Sequence, residues 1–135
     1  MPLPERPSLR SHDASVKTIL VVEDDRITRK LLCSIIEDET PHRVVLASDG
    51  AQALNVVRTI QPDLLVLDYL LPDMNGVELY RQLCQMKHTS AVPTIFLTVV
   101  RGEFPDLPDP RTWVIRKPFQ LEDFLAMLTH ALESL

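Results

Sequence analysis

The sequence predicts an α/β domain built on a doubly wound, five-stranded parallel sheet of order 2-1-3-4-5, with helices on both faces. Two observations predict it and a third sets its polarity. From Thr18 onward, short β-branched runs alternate with amphipathic stretches: TILVV, ITRKLLCSII, RVVLA, AQALNVVRTI, LLVL, VELYRQLCQM, TIFLT, TWVI and LEDFLAMLTHAL. The runs Ile19 to Val22 and Leu64 to Leu67 are apolar at every position, as expected of parallel strands covered on both faces. Chemically capable residues follow the first, third, fourth and fifth runs, so all fall at the carboxyl edge of the sheet. Ligands bind there in such folds, at the switch point between the first and third strands.

Taken in order, the opening MPLPERPSLRSHDAS places Pro2, Pro4 and Pro7 among charges and serines and shows no apolar period before Val16. Residues 1–16 are expected to form a flexible tail, and 17–135 the folded domain. Asp25 is placed to cap a helix carrying Ile27, Leu31 and Ile35, and Asp49 with Gln52 forms a capping-box variant opening the second helix. Pro72, Asp73, Asn75 and Gly76 read as a turn. Leu121, Phe124, Leu125, Leu128 and Leu132 give the last helix one apolar stripe. Only the fourth crossover breaks the rhythm: in VRGEFPDLPDPR, Pro105, Pro108 and Pro110 each lack a backbone donor, so the fourth helix should be missing or replaced by a Pro-rich loop.

A chain of 135 residues with 45% apolar content suits one core. The formal net charge of −5 gives no broad basic field, so direct nucleic-acid contact is not expected. No apolar run is long enough to span a bilayer and no secretory pattern opens the chain, which predicts a cytoplasmic protein without membrane insertion. Cys33 and Cys84 lie far apart without CxxC spacing and read as small apolar residues. The four histidines, scattered without metal spacing, read as surface residues.

At the carboxyl edge stand Glu23, Asp24 and Asp25 after the first strand, Asp68 after the third, Thr98 after the fourth and Lys117 after the fifth. Carboxylates crowded together resist ionising unless a cation sits among them. An oxygen-only set without His or Cys favours Mg²⁺ over zinc or copper. A carboxylate can also be a nucleophile toward phosphorus, with the transition state neutralised by metal and ammonium. Lys117 offers the ammonium and Thr98 a hydroxyl. Taken singly, each has a plainer reading: Asp25 a helix cap, Thr98 a strand end, Lys117 a solvated charge. One helix start uses one cap, however, so capping does not account for Glu23 and Asp24 together.

The segments ILVVEDD, LLVLDYLLPDMNGVEL, FLT and RKPF, in this order over Thr18 to Leu135, resemble the receiver domains of two-component response regulators. The resemblance implies a CheY-like, flavodoxin-like fold. It also implies that Asp68 is the phosphoacceptor, Asp24 a direct Mg²⁺ ligand, Glu23 an acidic partner reaching the metal through water, and the Leu70 carbonyl a backbone ligand. Thr98 would be the switch hydroxyl and Lys117 the phosphoryl-pairing lysine, with a cis Lys117–Pro118 bond. The implied partners are a sensor histidine kinase or histidine phosphotransfer protein and a downstream protein target, with homodimer formation left open.

This sequence departs from the family pattern at four places. Val99 stands where Ala, Ser or Gly is usual, and its branched side chain is expected to slow phosphorylation. Leu70 is expected to exclude attacking water and lengthen the phosphorylated lifetime. Val114 replaces an aromatic that normally swings between exposed and buried states, and Trp113, one residue off, should face the opposite side of the sheet. The Pro-rich connection, shorter than usual by about one helical turn, suggests an altered partner surface.

Two function classes follow. The leading expectation is a single-domain response regulator, not a turnover enzyme, whose output is a protein contact. The alternative is a degenerate receiver acting as a phosphorylation-independent interaction module. An aspartate-nucleophile phosphatase is disfavoured because Leu70 stands where that chemistry wants a second Asp. With three glycines and no GxGxxG, a flavin or dinucleotide carrier is disfavoured too.

Overall fold

The computed structural model describes residues 16–105, 107 and 109–135. The expected tail, apart from Val16, lies outside the described residues. Five strands, β1 (Thr18–Val22), β2 (Arg43–Ala47), β3 (Leu64–Asp68), β4 (Thr94–Thr98) and β5 (Thr112–Arg116), pair in parallel in the order β2-β1-β3-β4-β5. Among the described residues three helices join them, α1 (Arg26–Glu39), α2 (Gly50–Val56) and α3 (Gly76–Cys84), a fourth, α4 (Leu121–Glu133), follows β5, and a short 3₁₀ turn lies at Lys87–Thr89.

The unbroken apolar character of the central strands is explained by two cores, one on each face. On one face Ile19, Val21, Leu64, Val66, Ile95 and Leu97 meet Leu32 and Ile36 of α1 and Phe124, Leu128 and Ala131 of α4. On the other, Leu20, Val22, Leu65, Leu67 and Phe96 meet Ala53 of α2 and Val77, Leu79, Tyr80 and Leu83 of α3. Successive strand residues point to opposite faces, so every position of β3 and β4 is buried. Trp113 and Val114 divide between the two cores as expected.

The caps follow the sequence with local corrections. Asp25 accepts from the Thr28 N–H and hydroxyl at 2.9 and 2.6 Å, and those bonds hold its carboxyl below the usual range. Asp49 accepts from Gln52 N–H at 2.7 Å, but Gln52 Oε1 reaches back to Ser48 N–H rather than to Asp49. The buried stripe of α1 is Leu32 and Ile36, whereas Ile27 and Leu31, one turn apart, are 78% and 55% exposed. Leu121 of α4 is likewise exposed, and Ala131 completes the stripe. Cys33 and Cys84 are half-buried rather than fully enclosed. His42 is also half-buried, its Nδ1 accepting from Lys17 N–H at 3.0 Å.

Between β4 and β5 the described residues contain no helix. Arg111 fastens the end of this connection: its guanidinium donates to the Ala91 carbonyl at 2.6 Å and lies 3.5 Å from Asp109. The Lys117–Pro118 peptide bond is cis.

Candidate functional site

Strand polarity brings Glu23, Asp24, Asp68, Thr98 and Lys117 to one edge, and backbone bonds between neighbouring strand ends set their spacing. Glu23 N–H donates to Ala47 O at 3.1 Å, Tyr69 N–H to Leu97 O at 2.7 Å, and Lys117 N–H to Thr98 O at 2.7 Å. Gly76, at the start of α3, donates its N–H to Tyr69 O at 2.7 Å, and its missing side chain lets α3 lie against the backbone of Asp68.

The side chains differ sharply in exposure. Glu23, Asp68 and Thr98 are 1%, 6% and 1% exposed, while Asp24 is open to solvent. Lys117 Nζ donates to Glu23 Oε1 at 2.8 Å and lies 3.3 Å from Asp68 Oδ1. The second Glu23 oxygen accepts from Asp25 N–H at 3.1 Å. Burial, then the neighbouring Glu23 carboxylate, push the Asp68 carboxyl up to about 7 against the pull of Lys117. For Lys117, burial acts downward, but the hydrogen bond to Glu23 and the charges of Asp68 and Glu23 outweigh it, so the ammonium is held above the usual lysine range. Lys117 is the cation in direct contact with this buried pair.

Glu23, Asp24 and Asp68 each offer a carboxylate oxygen within 4.8 Å of the others. This all-oxygen set, dense in negative charge and partly open to solvent, fits a hard divalent cation such as Mg²⁺. Leu70 lies just beyond β3 in an isolated antiparallel bridge with Asn75 and is 53% exposed, and Val99, after Thr98, is 57% exposed. The Thr98 hydroxyl oxygen accepts from Val100 N–H at 2.9 Å, which ties this side chain to the start of the β4–β5 loop.

Two supporting residues escaped the sequence reading. Arg29 of α1 donates to the carbonyls of Glu23 and Asp24 at 2.9 and 3.2 Å, clamping the acidic turn from behind. Its position one turn into the helix after an acidic pair was the available signal. Asp73, read as a turn residue, accepts from Gly50 and Ala51 N–H, both at 2.9 Å, and so caps α2 from another loop. Those bonds hold its carboxyl below the usual range. Nothing local in the sequence marks a cap made across more than twenty residues.

The sheet order and acidic edge define a CheY-like α/β domain. The chain belongs to the response regulator receiver domain family, whose model matches residues 19–129. It is 40% identical over 121 residues to the DNA-binding response regulator MtrA of Mycolicibacterium smegmatis, covering 84% of this chain and 50% of that protein. It is 32% identical to the phosphate regulon transcriptional regulatory protein PhoB of Escherichia coli, covering 83% and 50%. The chain thus spans about half the length of these relatives. Among solved structures, the non-phosphorylated HemR receiver domain of Leptospira biflexa matches with a TM-score of 0.74 and 34% identity, covering 86% of this chain and 94% of that one. A receiver domain of the sensor histidine kinase PA1611 from Pseudomonas aeruginosa, described with magnesium in its active-site cleft, shares the fold at a TM-score of 0.76 and 23% identity over 87% and 98%. No helix among the described residues is long and apolar enough to cross a membrane.

Proposed function

We propose that Asp68 accepts a phosphoryl group from a phosphohistidine of a sensor kinase or phosphotransfer protein, and that the modified domain signals through a changed protein-binding surface. The observation that carries this reading is Asp68 itself, nearly buried, 3.3 Å from the Lys117 ammonium and clustered with Glu23 and Asp24. In the transfer a carboxylate oxygen of Asp68 bonds to phosphorus as the histidine nitrogen–phosphorus bond breaks, and the imidazole leaves. Lys117 is positioned to pair with the phosphoryl oxygens, and Thr98 offers a hydroxyl donor to the same group. Glu23, Asp24, Asp68 and the Leu70 carbonyl would hold Mg²⁺, which when bound supplies positive charge against the phosphoryl oxygens. The exposed Ile27 and Leu31 on α1, which begins directly after the acidic turn, give a donor protein an apolar foothold. Nucleic-acid contact is not proposed for this domain, since its net charge of −5 opposes binding to phosphates.

The second reading, a phosphorylation-independent interaction module, is favoured by a fourth crossover without a helix among its described residues and by exposed Val99 beside Thr98. Intact mass after acetyl phosphate and Mg²⁺, with Asp68→Asn as control, separates the two. A phosphoryl adduct absent from the control supports the acceptor. No adduct in either protein favours the module. Titration of Trp113 fluorescence with Mg²⁺ and then beryllium fluoride, a stand-in for the phosphoryl group, is the companion measurement. Mass is the primary readout because Trp113 packs on the α1/α4 face against His130.

A further inference from the structure

The described residues of the β4–β5 loop contain no helix, yet Val99 to Pro105 is held at defined points. Val100 N–H donates to the Thr98 hydroxyl at 2.9 Å, and the Arg116 guanidinium donates to the Gly102 carbonyl at 2.6 Å. Gly102 has a φ of 96°, a left-handed backbone that favours glycine. Two residues later Phe104 turns inward. Its ring stands edge-on to Tyr69 with centroids 5.6 Å apart, and tilted against Phe96 at 5.0 Å. Tyr69 directly follows Asp68, and Phe96 lies two residues before Thr98 on a fully buried strand. The register partner of Phe96 on β5 is Val114, and Val114 and Phe104 both pack against the core cluster that holds Phe96.

The loop therefore touches the acidic edge twice, by a hydrogen bond through Thr98 and by ring contact through Tyr69. We propose that Phe104 relays the chemical state of Asp68 to the loop. This rests on the phosphoacceptor reading above. A phosphoryl group on Asp68 engages the Thr98 hydroxyl, whose oxygen holds Val100 N–H, and displaces Tyr69 beside it. The wedge of Tyr69, Phe104 and Phe96 carries both changes into Val99 to Phe104. The aromatic group that reports on the site thus comes from the loop itself rather than from β5, and the surface it resets is the loop's own.

Hydrogen exchange of Val99 to Phe104 tests this, measured on the whole chain with and without Mg²⁺ and beryllium fluoride, alongside intact mass after acetyl phosphate. In the wild type the ligand is expected to change exchange of these amides about threefold or more. Phe104→Ala is expected to exchange about tenfold faster at rest, since two ring contacts are lost, each worth roughly two- to tenfold in local closure. Its loop should no longer respond to beryllium fluoride, although Asp68 still gains the phosphoryl mass. Phe104→Leu should recover part of the response. A Phe104→Ala loop that responds as the wild type does, with the mass gain intact, overturns the relay alone and leaves Phe104 a structural anchor. No mass gain in the wild type overturns the acceptor reading and the relay with it. Should Phe104→Ala unfold, Val114→Phe decides the question: it keeps Phe104 but crowds the core around Phe96. A lost response then supports the relay, and a wild-type response overturns it.

Discussion

A methyl group added at Gly76 would sit 2.4 Å from the Asp68 carbonyl oxygen and 3.1 Å from the Asp68 carbonyl carbon and Tyr69 Cα. Ordinary contact begins at 3.4 Å, so the start of α3 and the end of β3 must separate by up to 1.0 Å (3.4 minus 2.4). Neither can yield by turning a side chain, because both are backbone and are joined by the 2.7 Å bond from Gly76 N–H to Tyr69 O. Overpacking of this kind costs about 1–3 kcal/mol. Stiffening the unfolded chain by a Gly→Ala exchange returns about 0.4–1 kcal/mol. Gly76→Ala is therefore expected to destabilise the domain by about 1–2 kcal/mol, moving the urea midpoint down by roughly 0.5–1 M. A shift of about 1 Å at the proposed phosphoacceptor can cost about a hundredfold in transfer rate, so phosphorylation by acetyl phosphate should fall far more than stability does. Gly50→Ala is the matched control. Its Cβ would meet Met74 Sδ at 2.6 Å and Cε at 2.7 Å, but a flexible thioether can swing aside. Urea unfolding followed by far-UV circular dichroism, with adduct formation followed by mass, reads both effects. If Gly76→Ala matched the wild type in midpoint and rate, the close approach would not be what positions Asp68.

Asp73→Asn is expected to lower stability near neutral pH by weakening the cap on α2. The folded pKa of Asp73 is depressed, so its contribution is fully present above the unfolded value of about 3.9 and is lost as pH falls through the folded value. The urea midpoints of wild type and Asp73→Asn should therefore converge in acid, and a gap that widens there would refute the cap. No hydrogen bond of ordinary geometry reaches the buried Tyr80 Oη among the described residues, although Cys84 and the Asp109 backbone lie beside it, and burial raises its pKa. Tyr80→Phe should be neutral or stabilising by up to about 1 kcal/mol, and a loss of that size in thermal unfolding would reveal a partner for the hydroxyl. Leu70→Asn should shorten the lifetime of the aspartyl phosphate severalfold by admitting water to the phosphorus. An unchanged decay of the mass adduct would show that Leu70 does not gate it.

The receiver family, the sheet order and the acidic edge were legible in the sequence because each rests on local pattern. Unbroken apolar runs imply buried parallel strands, and strand polarity alone puts Glu23, Asp24, Asp68, Thr98 and Lys117 on one edge. Three prolines within six residues argued against a fourth helix, and the described residues of that crossover contain none. What could not be read were contacts between segments distant in sequence. The period of α1 pointed to Ile27, Leu31 and Ile35, but rotation of the helix against the sheet buries Leu32 and Ile36 fully, Ile35 only in part, and leaves Ile27 and Leu31 exposed. Asp73 reads as a turn residue until folding carries it to the N–H groups of α2. The pairing of Lys117 with Glu23 spans 94 residues, and the wedge of Phe104 between Tyr69 and Phe96 joins three separate loops and strands. Patterns of period two and 3.6 report which face of an element is apolar, whereas the partner met across space is fixed only when the elements pack.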